Sequence, residues 1–130
     1  MAGRVIIFVQ SASFDVAWQS TSLGLTAAAM GDDVTFVLAF DALRALARNT
    51  FGKPLNEREA VESARADGLG APTAARMLSE ARQMGAKVVA CDTTLKLCGL
   101  SKADFGDRLD DVLGLATIWR QTEGARVLTF

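Results

Sequence analysis

Cysteines 91 and 98 are the only thiols among the 130 residues, and the chain contains no histidine and no tyrosine. Without histidine, neither a Ser-His-Asp nor a Cys-His mechanism can be assembled within one chain. Two cysteines alone also fall short of a typical zinc site, which takes three or four nitrogen or sulfur ligands. What remains is thiol chemistry, and the context of each cysteine decides whether it is available. Cys91 ends the apolar run Lys87–Cys91 and is followed by Asp92, Thr93 and Thr94, the composition of a strand that passes into a helix start. If Thr93–Leu97 is helical, Cys91 lies at its positive end, where thiolate is favoured over thiol. The competing reading is an inert buried thiol, the commoner fate of cysteine. Cys98, beside Gly99, is two helical turns further on, about 10 Å by rise. A disulfide between the two would require that turn to unwind. Cys98 therefore reads as a packed residue, with a resolving role in a thiol–disulfide cycle as the lesser alternative.

The elements that would hold Cys91 follow from a local pattern that occurs three times: glycine, any residue, a charged residue, valine. It stands at Gly31–Val34, Gly85–Val88 and Gly124–Val127, each copy after a helix-like stretch and before a β-branched run. Glycine closes a helix in the left-handed conformation, and the charged residue solvates the short loop that follows. Alternating helices and strands imply a parallel sheet. The expected strands are Arg4–Gln10, Asp33–Phe40, Lys87–Cys91 and Ala125–Phe130, nearly continuous apolar runs suited to burial on both faces. Expected helices span Phe14 to Met30, with Ser13 as N-cap, and Pro72 to Met84, with Ala74, Met77, Leu78, Ala81 and Met84 as its stripe. A last helix is expected from Arg108 to Thr122, burying Leu109, Val112, Leu113, Ala116 and Trp119. These stripes are core patterns and call for no cofactor. The fold class is therefore α/β, three-layer, with a mostly parallel open sheet of four to five strands and helices on both faces. One domain over 1–130 is the natural division for this length.

The segment Gly52–Ala71 stands apart. Asn56 and Glu59 have capping-box spacing, so a short helix from Glu57 to Ala66 is expected. Its apolar face is only Ala60, Val61 and Ala64. The segment reads first as a solvated and mobile excursion, with a lid or an interface element as the sharper alternative.

In an open parallel sheet, ligands gather at the C-terminal strand edge. Here that edge collects Gln10, Ser11 and Ser13, then Asp41, then Cys91 with Asp92, Thr93 and Thr94. Ser11 and Ser13 could hold a small anion, although helix capping explains them more simply. No glycine-rich phosphate loop follows the first strand. Asp104-Phe105-Gly106 matches a kinase metal-binding triplet only in spelling, because the rest of that constellation is missing. The 14 basic and 15 acidic residues nearly cancel, which argues against nucleic acid and anionic lipid as partners. The longest apolar runs are far short of a membrane helix, and the first is too short for a secretory signal. With two cysteines, the expected compartment is the reducing cytoplasm.

Taken in order, these features resemble the DsrE/DsrF-like family, which includes the TusD and YchN types of small sulfur-handling protein. The resemblance is carried by Arg4-Val5-Ile6-Ile7-Phe8, the alanine-rich first helix ending at Met30-Gly31, and Val34-Thr35-Phe36. It continues in Gly85-Ala86-Lys87-Val88-Val89-Ala90-Cys91 with Leu95 and Gly99, and in the terminal Ala125–Phe130. It implies a sulfur-relay or sulfur-carrier protein, possessing sulfurtransferase activity if it turns over, in which Cys91 accepts persulfide sulfur. It implies no cofactor, sulfur donor and acceptor proteins as partners, and a homo-oligomer, trimer or hexamer. Two other functions stay open from the residues alone. One is a noncatalytic small-molecule-binding or scaffolding oligomer; the other is a thiol–disulfide redox protein using Cys91 and Cys98.

Overall fold

The computed structural model describes residues 3–130. Five strands, β1 (Arg4–Val9), β2 (Asp33–Leu38), β3 (Lys87–Cys91), β4 (Asp111–Leu113) and β5 (Arg126–Thr129), form one sheet in the order β4-β3-β2-β1-β5. Every pairing is parallel. The helices are α1 (Phe14–Ala29), α2 (Asp41–Ala47), α3 (Glu57–Gly68), α4 (Ala74–Gln83), α5 (Asp92–Leu97) and α6 (Leu115–Gln121), with a 3-10 turn at Lys102–Phe105.

Alternate residues of each strand enter two separate cores, because successive side chains of a strand point to opposite faces. Val5, Ile7, Val9, Val34, Phe36, Leu38, Val88 and Ala90 meet α1, α2, α4, Leu95 of α5 and Phe105. The other face carries Ile6, Val37, Val89 and Cys91, with Phe8 and Leu113 at their margin, and a single helical residue, Ile118 of α6, covers them. The layers are therefore unequal. Five helical elements build one side and one seven-residue helix builds the other.

The three glycine-led junctions behave as expected: Gly31, Gly85 and Gly124 take φ of 92°, 102° and 71° after α1, α4 and α6. At Gly24, inside α1, the requirement is different. An added Cβ there would collide with the ring of Phe36, so glycine lets α1 approach the sheet closely.

Three expectations are corrected. The stretch Arg108–Thr122 is not one helix: Asp111–Leu113 is the edge strand β4, and α6 begins only after Gly114. Leu109, Val112, Leu113 and Ala116 have helical spacing, but Asp110 ties this stretch to the sheet instead. Its carboxylate accepts from Val88 N at 2.7 Å, and its own N–H donates to Val88 O at 2.8 Å. Trp119, expected in the core, is 77% exposed, and Ile118 is buried in its stead. Met84, expected in the α4 stripe, is exposed because α4 ends one residue earlier.

The excursion is a well-formed helix that lies against α1. Asn56 caps it, accepting from Glu59 N at 2.9 Å. Glu59 is only 3% exposed, and its Oε1 accepts from Leu55 N at 3.1 Å and from Phe14 N, the first residue of α1, at 2.9 Å. Beyond the helix, Trp18 Nε1 donates to Pro72 O at 3.2 Å. Both ends of the excursion are thus fastened to α1.

Candidate functional site

The chain leaves β3 through α5, whose Leu95 packs into the thick core, and leaves neighbouring β4 through α6, whose Ile118 packs on the opposite face. Two adjacent parallel strands whose exits diverge to opposite faces create a crevice between their C-terminal ends, the preferred ligand position in such sheets. Cys91 is the residue at that point. It pairs in register with Leu113, the last residue of β4, and serves as N-cap of the six-residue helix α5. Because β4 was hidden inside a helical spacing pattern, sequence reasoning placed Cys91 at the sheet edge but could not place the switch point.

The Cys91 side chain lies on the thin-layer face among Ile6, Val37, Val89 and Ile118, and the residue is 6% exposed. Its sulfur therefore does not lie on an open surface. Cys98 is a second free thiol at the far end of α5, half-buried, with Sγ 3.9 Å from Phe40 O. The whole of α5 separates the two positions, as the sequence implied.

The other residues expected at this edge divide between two places. Asp92 and Thr94 belong to the first turn of α5: Asp92 Oδ2 pairs with Lys96 Nζ at 3.2 Å, and Thr94 Oγ1 donates to Cys91 O at 3.1 Å. Thr93 stands between them on the same turn. Ser11 and Ser13 lie after β1 and are occupied with each other. Ser11 Oγ donates to Ser13 Oγ at 3.0 Å, and Ser13 Oγ donates to Asp15 Oδ1 at 2.7 Å. Ser13 is the N-cap of α1 by backbone position without capping through its side chain. The Ser13 hydroxyl, followed by Val16 N–H, holds the Asp15 carboxyl below its ordinary range. Since β2 separates β1 from β3, the serines and Cys91 are not neighbours in one pocket.

Two residues of this edge carry no sequence signal as site residues. Glu59 places a buried carboxylate at the start of α1, and its only advance signal was the capping box with Asn56. Phe40, immediately after β2, holds φ of 49° and ψ of −119°, a region that suits glycine and is strained for an aromatic residue. This conformation turns its carbonyl toward Cys98 and leaves its ring partly exposed.

No family model matches the chain, and no curated protein matches it in sequence. Solved structures do match in shape. The YchN protein from E. coli is 20% identical, with a TM-score of 0.69 over 98% of this chain and 99% of its own. MTH1491 from Methanobacterium thermoautotrophicum, a protein of unknown function, is also 20% identical, with a TM-score of 0.67 and the same coverage. BT1422 from Bacteroides thetaiotaomicron, likewise of unknown function, is 12% identical, with a TM-score of 0.68 over 98% of this chain and 94% of its own. The chain therefore has the YchN-like α/β fold. Among the described residues no helix is long and apolar enough to cross a membrane.

Proposed function

We propose that the protein is a sulfur carrier that accepts persulfide sulfur on Cys91. The observation that carries this reading is the position of the thiol at the C-terminal crevice between β3 and β4, where the two connections diverge. A thiol at that point meets a ligand that enters the crevice from the thin-layer face, where its side chain lies. The likeness of fold to YchN is consistent with the family resemblance of the sequence.

The chemistry is two successive displacements at sulfur. The Cys91 thiolate attacks the outer sulfur of a donor persulfide, R–S–SH; a new S–S bond forms on Cys91 as the donor's S–S bond breaks and R–S⁻ leaves. An acceptor thiolate then attacks the outer sulfur of the Cys91 persulfide and releases the Cys91 thiolate. No net oxidation occurs, so neither a redox cofactor nor a metal is needed. Loading also extends the reactive atom by one S–S bond of about 2 Å. Donor and acceptor are expected to be thiol-bearing proteins in a reducing cytoplasm, with the carrier itself a homo-oligomer.

A second reading has its own support in the low exposure of Cys91 and in the internal pairing of Ser11, Ser13, Asp92 and Thr94. On that reading the molecule is a noncatalytic binding or scaffolding oligomer. Disulfide chemistry between Cys91 and Cys98 is less favoured, because α5 would have to unwind to join them.

Intact mass after incubation with a low-molecular-weight persulfide separates these readings. The carrier reading expects one added sulfur atom on the unmodified chain and on Cys98→Ser, and none on Cys91→Ser. Uptake by Cys98 instead, or by neither cysteine, overturns it in favour of the binding module. Formation of an intrachain disulfide under the same conditions would support the redox reading.

A further inference from the structure

The thin layer covers its sheet face only in part. Ile118 packs on Ile6, Val37, Val89 and Cys91, and beside this cluster a cleft of about 270 Å³ lies between the sheet and the end of α6. Its walls are Thr35 of β2, Lys87 and Val89 of β3, Asp111 and Leu113 of β4, and Gln121 of α6. Val34, Phe36, Val88 and Ala90 enter the thick core, so by strand alternation the strand residues of the cleft share the thin face with Cys91. Arg4 Nη1 donates to Gln121 O at 3.0 Å and so ties the helical wall to β1. The volume lies just below the ~300–1,000 Å³ of pockets for drug-sized ligands, which suits a small metabolite.

The charges in the cleft indicate what that metabolite is. Asp110 also borders it, but its two oxygens are taken by Arg82 and by Val88 N. Lys87 and Asp111 are not spent in this way. Neither belongs to an ion pair among the described residues. Asp111 Oδ1 accepts from Val112 N at 2.8 Å, which leaves Oδ2 for another donor. The register staggers the two residues: Asp111 stands opposite Val89, two positions beyond Lys87, so their Cα atoms lie diagonally about 8 Å apart. One cleft therefore holds an uncommitted ammonium and an uncommitted carboxylate. A purely anionic ligand would meet Asp111 and a purely cationic one Lys87, and each like-charge encounter selects against that ligand. A ligand that carries both signs satisfies both groups. Val89 and Leu113 add an apolar surface, and Thr35 and Gln121 a hydroxyl and an amide.

We infer that this cleft binds a free α-amino acid with an aliphatic side chain, its carboxylate on Lys87, its ammonium on Asp111 and its side chain against Val89 and Leu113. This inference is independent of the sulfur-carrier reading. The cleft and the thiol are nonetheless adjacent, because Leu113 lines the cleft and pairs in register with Cys91.

The test is isothermal titration of the full chain with L-leucine, with 3-methylbutylamine, which lacks the carboxylate, and with 4-methylpentanoate, which lacks the ammonium. Circular dichroism confirms that each variant is folded. Leucine is expected to bind at millimolar concentration or below, and each analogue about tenfold or more weaker, the loss of one charge-assisted contact. Lys87→Gln and Asp111→Asn are each expected to weaken leucine by a similar factor; Asn at 111 keeps an acceptor for Val112 N, so its local backbone contact survives. The variants should also differ in discrimination. Lys87→Gln should no longer prefer leucine to the amine, and Asp111→Asn should no longer prefer it to the carboxylate. Lys102→Gln, the same charge change on the exposed 3-10 turn, should bind leucine as the unmodified chain does. No heat from leucine at millimolar concentration overturns the proposal. So does an analogue that binds the unmodified chain as tightly as leucine, or leucine binding indifferent to Lys87→Gln and Asp111→Asn.

Discussion

At the residue scale the one buried charged side chain among the described residues is Glu59, not a residue near Cys91. A carboxylate seldom becomes fully buried unless its oxygens are occupied, and here two backbone N–H groups and the Asn56 amide occupy them. It satisfies one of the orphan donors that every helix start leaves, that of Phe14, and places negative charge at the positive end of a sixteen-residue helix. Glu59→Ala would strand both N–H groups in a site too closed for free hydration. The expected loss is about 1–3 kcal/mol in urea unfolding. Glu59→Gln keeps one acceptor oxygen and is expected to lose less. Equal stability of all three proteins would mean that water replaces the carboxylate without cost. The same latch bears on the mobility expected for residues 52–71. Since Glu59 is the only buried residue of α3, amide exchange there should exceed that of the strands and rise further in Glu59→Ala.

At the element scale, close approach of α1 to the sheet rests on one glycine. Gly24→Ala gains helix propensity, but its methyl group must displace the fully buried Phe36 ring. The expected net cost is about 1–3 kcal/mol, the range for overpacking a closed core. Gly68→Ala, at the end of α3 with open space around it, is the control and should be neutral or slightly stabilising. Thermal unfolding of the pair checks both. How much of these elements was legible in the sequence depended on whether local signals agreed. The strands β2, β3 and β5 announced themselves because apolar runs followed glycines that take positive φ, and β1 did so by its apolar run alone. The edge strand β4 did not: three residues give no period, and Leu109, Val112, Leu113 and Ala116 complete a helical spacing by coincidence. Helix α2 was missed because its entry is the strained Phe40 and not a recognisable cap. Cys91 was legible as a strand-end thiol, yet its setting depended on β4 and α6, the two elements the pattern concealed. The outward Trp119 was misread for the same reason, since a stripe shows which residues share a face and not which way that face points.

At the scale of the whole molecule, the thin edge of the sheet is held by one ion pair that joins three elements. Arg82, near the end of α4, forks onto Asp110 through Nε at 3.3 Å and Nη2 at 2.7 Å, while Asp110 also accepts from Val88 N of β3 and immediately precedes β4. Partial burial by itself would raise the Asp110 pKa. The Arg82 hydrogen bond, the Val88 N–H, and the charges of Arg82 and Lys87 outweigh it and hold the carboxyl below its ordinary range. A folded-state value below the unfolded one means that the unfolded chain takes up the proton first as pH falls. Asp110 therefore contributes stability in full above the ordinary carboxylate range, near pH 4, and loses it as pH drops through the depressed folded value. Asp110→Asn removes that contribution, and with it both the ion pair and one charge-assisted acceptor. The expected deficit at neutral pH is about 1–3 kcal/mol. Between neutral pH and pH 5 the gap between the two proteins in thermal unfolding should stay constant, and below about pH 4 it should narrow as the native carboxyl becomes protonated. A gap that persists unchanged through the acid transition would show that Asp110 holds the edge by hydrogen-bond geometry alone, independent of its charge.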